Sequence, residues 1–359
     1  MQYFDFSYKW QLKTGYPKKK NGYFVFSCFA CGGGSTMGYK LAGYDVLGFN
    51  EIDPKMAECY IENHNPKYQF IEPIQEFKNR NDLPKELFNL DILDGSPPCS
   101  NFSMAGNREK DWGKKKKFRE GQQEQVLDIL FFDFIDLTKK LQPKIVISEN
   151  VPGILMGTAF QYVQKIYKDF KNAGYYTIHR LLDASKMGVP QKRKRVFFFS
   201  IRKDLIKHID TYDFFDENPK IDLMFNEKGI LFKEIKTNSK RKTIQKTIQD
   251  AYHYCTINKN SDFAQYFEKI SGKRKYFNTR LIFNNEICST IKSDCTHIIE
   301  GEKAYINNEE IKKASTFPND YNFKKNKVDY LCGMSVPPVM MAQISKQIEI
   351  QWLDKIYQK

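Results

Sequence analysis

No stretch of this 359-residue chain stays apolar for the ~20 residues that a membrane-spanning helix needs. The start, Met1-Gln2-Tyr3-Phe4-Asp5, lacks the charged segment and apolar core of a secretory signal. A cytoplasmic protein without membrane contact is expected. The eight cysteines (Cys28, Cys31, Cys59, Cys99, Cys255, Cys288, Cys295, Cys332) are scattered and follow no disulfide framework. Cys28 and Cys31 form a C-x-x-C, but no second pair or nearby histidines complete a zinc set, so no metal is expected. Internal repeats are lacking, and biased composition is confined to short stretches. What stands in excess is positive charge: 57 lysines and arginines against 43 acidic residues, a net +14. That suits a polyanion, because each phosphate contact releases condensed counterions. A lysine-rich composition with no such partner gives the same number.

The length fits one large domain with a smaller one, or two ordinary domains. After a loop-like entry ending at Lys18-Lys19-Lys20-Asn21-Gly22, short apolar runs alternate with helical ones. Strands are predicted at 23–28, 45–49, 90–93, 145–148, 176–182 and 196–201. Helices are predicted through about Ala42, then over 54–64, 123–140 and 159–173. This alternation argues for a parallel sheet covered on both faces. From about Lys203 to Asn278 the chain is rich in Lys, Asn, Tyr and Phe, with weak periodicity. Organised sequence resumes over 279–291, and a last amphipathic helix, Pro338 to about Tyr357, is expected to pack back onto the first domain.

In open parallel sheets ligands bind beyond the carboxyl ends of the strands. Four strand ends here carry chemistry. The first runs into Phe29-Ala30-Cys31-Gly32-Gly33-Gly34, the second into Asn50-Glu51-Ile52-Asp53, the third into Asp94-Gly95-Ser96-Pro97-Pro98-Cys99 and the fourth into Glu149-Asn150-Val151. Glycines let backbone approach a ligand closely, and Glu51 suits the hydroxyls of a ribose. A dinucleotide fingerprint fits less well, since Gly32, Gly34 and Gly38 miss the G-x-G-x-x-G spacing by one residue. An isolated cysteine is usually a small core residue. Cys99, however, follows Gly-Ser-Pro-Pro in a rigid loop and leads into a polar, basic segment with lysines at 114–117.

These segments, in this order, resemble the DNA cytosine-5 methyltransferases. The glycine turn with Gly38 is similar to that family's cofactor turn, and Asn50-Glu51-Ile52-Asp53 to its ribose-binding segment. Gly95-Ser96-Pro97-Pro98-Cys99 resembles the nucleophile loop, and Glu149-Asn150-Val151-Pro152-Gly153 the Glu-Asn-Val motif. Gln191-Lys192-Arg193-Lys194-Arg195 matches the Gln-x-Arg-x-Arg motif. Arg280, followed by Ser289-Thr290-Ile291, resembles the segment after that family's target-recognition region, and Gly333-Met334-Ser335-Val336-Pro337-Pro338 the C-terminal motif that returns to the cofactor site. Three positions depart: Cys31 stands for the first glycine of the turn, Glu72-Pro73-Ile74 lacks the Asp that contacts the adenine amino group, and Met334 replaces Asn.

The resemblance implies an α/β, Rossmann-like S-adenosylmethionine-dependent methyltransferase domain with a smaller irregular target-recognition domain inserted. Residues 1–202 and 328–359 would form the catalytic and cofactor-binding part, and 203–327 the recognition domain and hinge. It implies S-adenosylmethionine, leaving as S-adenosylhomocysteine, held by Phe29, Ala30, Cys31, Gly32, Gly33, Gly34, Glu51, Ile52, Ile74, Pro97, Ser335 and Val336. The implied partner is double-stranded DNA and the implied state a monomer; a cognate restriction endonuclease acting separately is compatible with it.

Carbon 5 of cytosine is too poor a nucleophile to take a methyl group from a sulfonium directly. A thiolate added at carbon 6 turns the ring into an enamine whose carbon 5 is reactive, and cysteine suits that task. By resemblance Cys99 is this nucleophile, Glu149 hydrogen-bonds ring N3 and the exocyclic amine, Arg195 faces O2, and Arg193 supports the site or a nearby phosphate. Alternation in an extended segment puts Arg193 and Arg195 on one face and Lys192 and Lys194 on the other; the plainer reading is a basic surface patch. Competing readings are tRNA cytosine methylation, a silent DNA-binding paralogue and a nucleotide-binding oxidoreductase. The first calls for a Cys-Phe-Thr tripeptide, absent here, and the second for loss of Cys99, Glu149 or Arg195. The third would carry a nicotinamide.

Overall fold

The computed structural model describes residues 4–98, 115–116, 125–126, 129–157, 159–211, 218–276 and 278–358. A seven-stranded sheet runs through its centre: β1 (Phe24–Cys28), β2 (Asp45–Asn50), β3 (Tyr68–Phe70), β4 (Ile92–Gly95), β5 (Ile145–Asn150), β6 (Tyr175–Asp183) and β7 (Lys194–Arg202). Their order is β3-β2-β1-β4-β5-β7-β6. The first five strands are parallel, while β7 lies antiparallel to both β5 and β6. The expected all-parallel sheet is thus corrected to a mixed one, because an apolar run reports burial on both faces and says nothing of direction. β3, three residues long at the sheet edge, went unpredicted.

Alternation along the strands builds two cores. Val25, Ile92, Ile145, Ile147, Phe197 and Phe199 face one side, and Phe26, Leu93, Val146 and Phe198 the other. The second side is covered by α3 (Leu130–Leu141) and α4 (Ala159–Asn172), through Phe131, Phe134, Val163, Ile166 and Phe170. α3 starts at Leu130 rather than near Gln123, since Gln125–Val126 is extended and pairs antiparallel with Lys115–Lys116. The first side is covered by α1 (Gly34–Leu41) and α7 (Pro338–Ile348), bringing Tyr39, Met341, Ile344 and Ile348 into the core. α2 (Pro54–His64) keeps its predicted bounds: Asp53 caps it by accepting from the Lys55 N–H at 2.9 Å, and Pro54 occupies the first turn, where a missing N–H costs nothing.

α7 does pack back onto the α/β core, but it is buried on nearly all sides rather than along one stripe. Gln343 and Ser345 are enclosed with it; the Gln343 amide donates to the Phe4 carbonyl at 2.7 Å, and Ser345 Oγ to the Met341 carbonyl at 2.7 Å. One π turn, Glu349–Leu353, then sets Trp352 into the core.

Beyond residue 202 a small three-stranded sheet forms from β8 (Leu281–Ile282), β9 (Ile298–Ile299) and β10 (Ala304–Tyr305). Two helices that weak periodicity did not reveal, α5 (Gln249–Ile257) and α6 (Phe263–Ser271), share a local core of Ile248, Tyr252, Phe263, Leu281 and Ile298 with that sheet. A further cluster joins Met37, Met56 and Cys59 to Phe232, Ile282, Phe317 and Leu331, so later segments pack against α1 and α2. Among the described residues, no helix is long and apolar enough to cross a membrane, and no group of three His, Cys, Asp or Glu side chains is arranged to hold a metal.

The close approach of α7 to α1 requires Gly38. A Cβ there would fall onto Met341 Cβ and 2.6 Å from the Pro338 carbonyl oxygen. Gly38→Ala should therefore destabilise the protein by about 1–3 kcal/mol, the usual range for overpacking. A urea titration checks it: the midpoint should fall with the slope unchanged, and an unaltered midpoint would show that the two helices separate freely.

Candidate active site

The carboxyl ends of β1, β2, β4 and β5 meet at one edge of the sheet. Beyond β1 the chain turns sharply: Phe29, Cys31 and Gly33 all have positive φ, at 54°, 48° and 83°. Cys31 takes the place of the first glycine of the turn, where a Cβ favours negative φ. It sits instead in the left-handed region, at a strain of roughly 1–2 kcal/mol. The turn is pinned from below, where the Gly32 carbonyl accepts from the Tyr321 hydroxyl at 2.5 Å and lies 3.1 Å from His64 Nε2.

The glycines of this turn make room for protein. A Cβ on Gly32 would lie 2.6 Å from a Leu331 methyl, one on Gly33 would enter the His64 ring, and one on Gly34 would meet the Val336 carbonyl and Ser335 Cβ. The motif containing Ser335 and Val336 is thereby brought against the turn, as the sequence pattern implied.

Glu51, 8% exposed at the end of β2, is held from both sides. Oε2 accepts from the Cys31 N–H at 2.8 Å and Oε1 from the Asp53 N–H at 2.9 Å. Burial pushes this carboxyl above its usual range, and the backbone N–H groups of Asp53, Cys31 and Ile52 oppose the shift. A carboxylate has about four lone-pair sites, so backbone donors leave it capacity to accept from two vicinal hydroxyls. Ile74 is buried in the core beside Phe77, with Phe29 packed at the edge of that cluster, and Ile52 is half-buried. Neighbouring Asn50 bridges strand ends, its amide donating to the Phe70 and Glu72 carbonyls at 3.1 and 2.8 Å.

At the end of β5 the chemistry is concentrated. Glu149 Oε1 lies 2.8 Å from Arg195 Nε, with both side chains about 15% exposed (14% and 15%). Asn150 leans toward the β4 loop, where its amide donates to the Pro97 carbonyl at 3.4 Å. Cys99, two residues on, lies outside the described residues, as do residues 101–108 and the lysine side chains at 114–117.

Of the two tasks open to Arg193, supporting the site or meeting a phosphate, its surroundings are compatible with the first. Arg193 is 2% exposed, and its guanidinium donates to the carbonyls of Ile291 (2.9 Å), Gly333 (2.8 Å) and Ser335 (3.0 Å). A group so committed cannot also reach a base or a phosphate, so the two arginines share a face without sharing a task. Gln191, which the sequence reading did not single out, is fully buried on the same row; its amide donates to the Ala314 carbonyl at 2.8 Å and accepts from the Ile291 N–H at 3.0 Å.

Asp94 is the other unanticipated residue. It lies one residue from the end of β4, beside Ser27 of β1, and its carboxylate accepts from Ser27 Oγ at 2.8 Å and from the Tyr39 hydroxyl of α1 at 3.2 Å. Burial, reinforced by the Glu149 charge, pushes it up to about 7 against those hydrogen bonds. It anchors the base of the Pro97 loop to α1, the helix that follows the glycine turn. A polar residue near the end of an apolar strand was the only signal for it in the sequence.

A family model for C-5 cytosine-specific DNA methylases matches residues 23–350. The type II methyltransferase M.FnuDI of Fusobacterium nucleatum is 34% identical over 190 residues, 53% of this chain and 49% of that protein. M.NgoPII of Neisseria gonorrhoeae is 28% identical over 335 residues, 92% of this chain and 88% of that one. The chain thus aligns with about half of the first relative and most of the second. Among solved structures, S. pombe Dnmt2 superposes with a TM-score of 0.59 at 14% identity, covering 92% of this chain and 99% of that one. A prophage-encoded E. coli protein superposes with a TM-score of 0.62 at 21% identity, again over 92% and 99%. At such identities the superpositions establish the fold alone: the methyltransferase α/β architecture.

The raised Asp94 carboxyl has a consequence for stability. Its folded value, about 7, exceeds the ordinary 3.8, so the fold binds this proton more tightly than the unfolded chain does. The associated stability is fully present below about pH 4 and is lost as pH rises through about 7. Measured by thermal melts between pH 4.5 and 8, the wild type should lose stability relative to Asp94→Asn over that window. Parallel curves would refute the shift.

Proposed function

The chain belongs to the C-5 cytosine-specific DNA methylase family, and we propose that it methylates carbon 5 of a flipped cytosine in a short duplex DNA motif, with Cys99 as covalent nucleophile. The observation that carries this reading is the Glu149–Arg195 pair, 2.8 Å apart at the strand end whose Asn150 holds the Pro97 loop. Two complementary charges side by side, largely withdrawn from water, offer what a cytosine edge requires. The carboxyl serves N3 and the exocyclic amine, and the guanidinium serves O2.

The residues at the other end of the edge fit S-adenosylmethionine, which when bound supplies an electrophilic methyl group on a sulfonium. Glu51, fixed by two backbone donors, takes the ribose hydroxyls, while Phe29, Ile52, Ile74 and Pro97 supply apolar surface for the adenine. Ala30, Cys31, Gly32, Gly33 and Gly34 form the turn, and Ser335 with Val336 forms its wall.

In the reaction the Cys99 thiolate adds to C6, and the electrons displaced from the C5–C6 double bond make C5 nucleophilic. Glu149 donates to N3 as charge develops there, and Arg195 balances O2. Once the methyl group has passed from the sulfonium to C5, with S-adenosylhomocysteine as the leaving thioether, C5 loses its proton to a base. The C6–sulfur bond then breaks to restore the ring and the thiolate, and N3 returns its proton to Glu149. Flipping the base out of the stack costs a few kcal/mol. Residues 203–327, with α5, α6 and the small sheet, would form the recognition domain and the remainder the catalytic one. The net charge of +14 supports a duplex as the partner.

Incubation of the purified chain with S-adenosylmethionine and unmethylated genomic DNA, followed by bisulfite sequencing, tests the proposal. Methylation should fall on every copy of one short motif and be abolished in Cys99→Ser. Glu149→Gln should retain cofactor binding and turn over about 10²–10⁴-fold more slowly, the span of a lost acid–base group. Full methylation by Cys99→Ser would refute the covalent route.

A further inference from the structure

The Gln-x-Arg-x-Arg segment sends three side chains from one extended run to three destinations. Arg195 reaches Glu149, Gln191 reaches Ile291 and Ala314, and Arg193 reaches Ile291, Gly333 and Ser335. The three carbonyls on Arg193 come from two segments about 100 and 140 residues downstream. Those segments touch each other, since a Cβ on Gly333 would fall into the Lys292 backbone, 2.6 Å from its carbonyl oxygen. Before it enters α7, the second segment lies against the turn after β1, where Ser335 and Val336 meet Gly34.

We infer that Arg193 is a positioning residue for the cofactor pocket, fastening the 333–336 wall against the turn, and that it touches neither base nor phosphate. This rests on the methyltransferase reading above. Two features of the site favour it. A planar guanidinium with five donors in a fixed fork can satisfy three carbonyls from different directions, whereas a lysine ammonium is a point charge and cannot match that spread. Arg193 is also enclosed where Arg195, two residues on, is partly open, so the shift from holding backbone to facing the cleft occurs within one strand repeat. Through this row the strand that carries the base-facing arginine also fixes the cofactor wall. Misplacement of the wall should therefore weaken cofactor binding before it affects chemistry.

The test measures S-adenosylhomocysteine binding to the full chain by calorimetry without DNA, beside steady-state kinetics, for the wild type, Arg193→Ala and Arg193→Lys. The dissociation constant and the KM for S-adenosylmethionine should rise about tenfold or more in Arg193→Ala, and less in Arg193→Lys. kcat at saturating donor and the KM for DNA should stay within about threefold. Unchanged S-adenosylhomocysteine affinity with a fall in kcat or in DNA affinity would overturn the inference and return Arg193 to the base or the phosphates. If Arg193→Ala fails to fold, Gly34→Ala pushes Ser335 and Val336 off the turn with Arg193 intact. It should weaken S-adenosylhomocysteine in step with Arg193→Lys, and full affinity in both would again overturn the idea. A wild-type chain that does not bind S-adenosylhomocysteine would instead sink the methyltransferase reading itself.

Discussion

Everything at the working edge of this protein depends on how closely α7 and the segment before it press on the start of α1. The helix axes can approach because Gly38 has no side chain, and the turn can accept Ser335 and Val336 because Gly34 has none. Close approach of this kind is a packing constraint first: interiors are dense, and one methyl group in the wrong place forces backbone to move. The glycines that invite a phosphate- or nucleoside-binding reading are thus already in use by the protein's own C-terminal third. The ligand cradle is shaped by the chain that fills its underside.

The second constraint is the burial of charge. Glu51, Asp94, Glu149, Arg193 and Arg195 all sit at or beneath one edge, and each is answered by a specific partner. The answers differ in kind. Glu51 and Arg193 are satisfied by backbone, which cannot move away, and are therefore suited to fixing geometry. Glu149 and Arg195 are satisfied by each other, so a polar ligand that enters between them can take over both sets of bonds. Losing either alone would strand the other, which is the expensive way to break a buried pair. Asp94 stands between these cases, held by two hydroxyls that can act as donor or acceptor, and so tolerant of either protonation state.

Much of this was legible in the chain. Asp53 and Pro54 announce α2 to the residue, because capping and proline placement are local physics. The converging strand ends follow from the parallel arrangement of β1, β2, β4 and β5. What escaped was whatever is decided at a distance. The reversed direction of β7 and the existence of β3 leave no mark on an apolar run. The placing of Arg193 is set by carbonyls some 100 to 140 residues away, and a basic motif reads the same whether its side chains meet backbone or phosphate. α5 and α6 were hidden for a related reason: their burial comes from Leu281 and Ile298, far along the sequence.

The position of α7 also bears on how the protein comes into being. Synthesis delivers β1 and the glycine turn about 300 residues before the helix that completes their packing, Pro338–Ile348. A chain emerging from the ribosome must carry a half-covered sheet until then, and contacts of such long sequence separation form late and slowly. The nascent protein is in this sense its own timer. Its cleft closes only when all of residues 203–327 and then α7 have been made, so a ribosome that stops before them releases a chain with exposed apolar surface and no finished cleft.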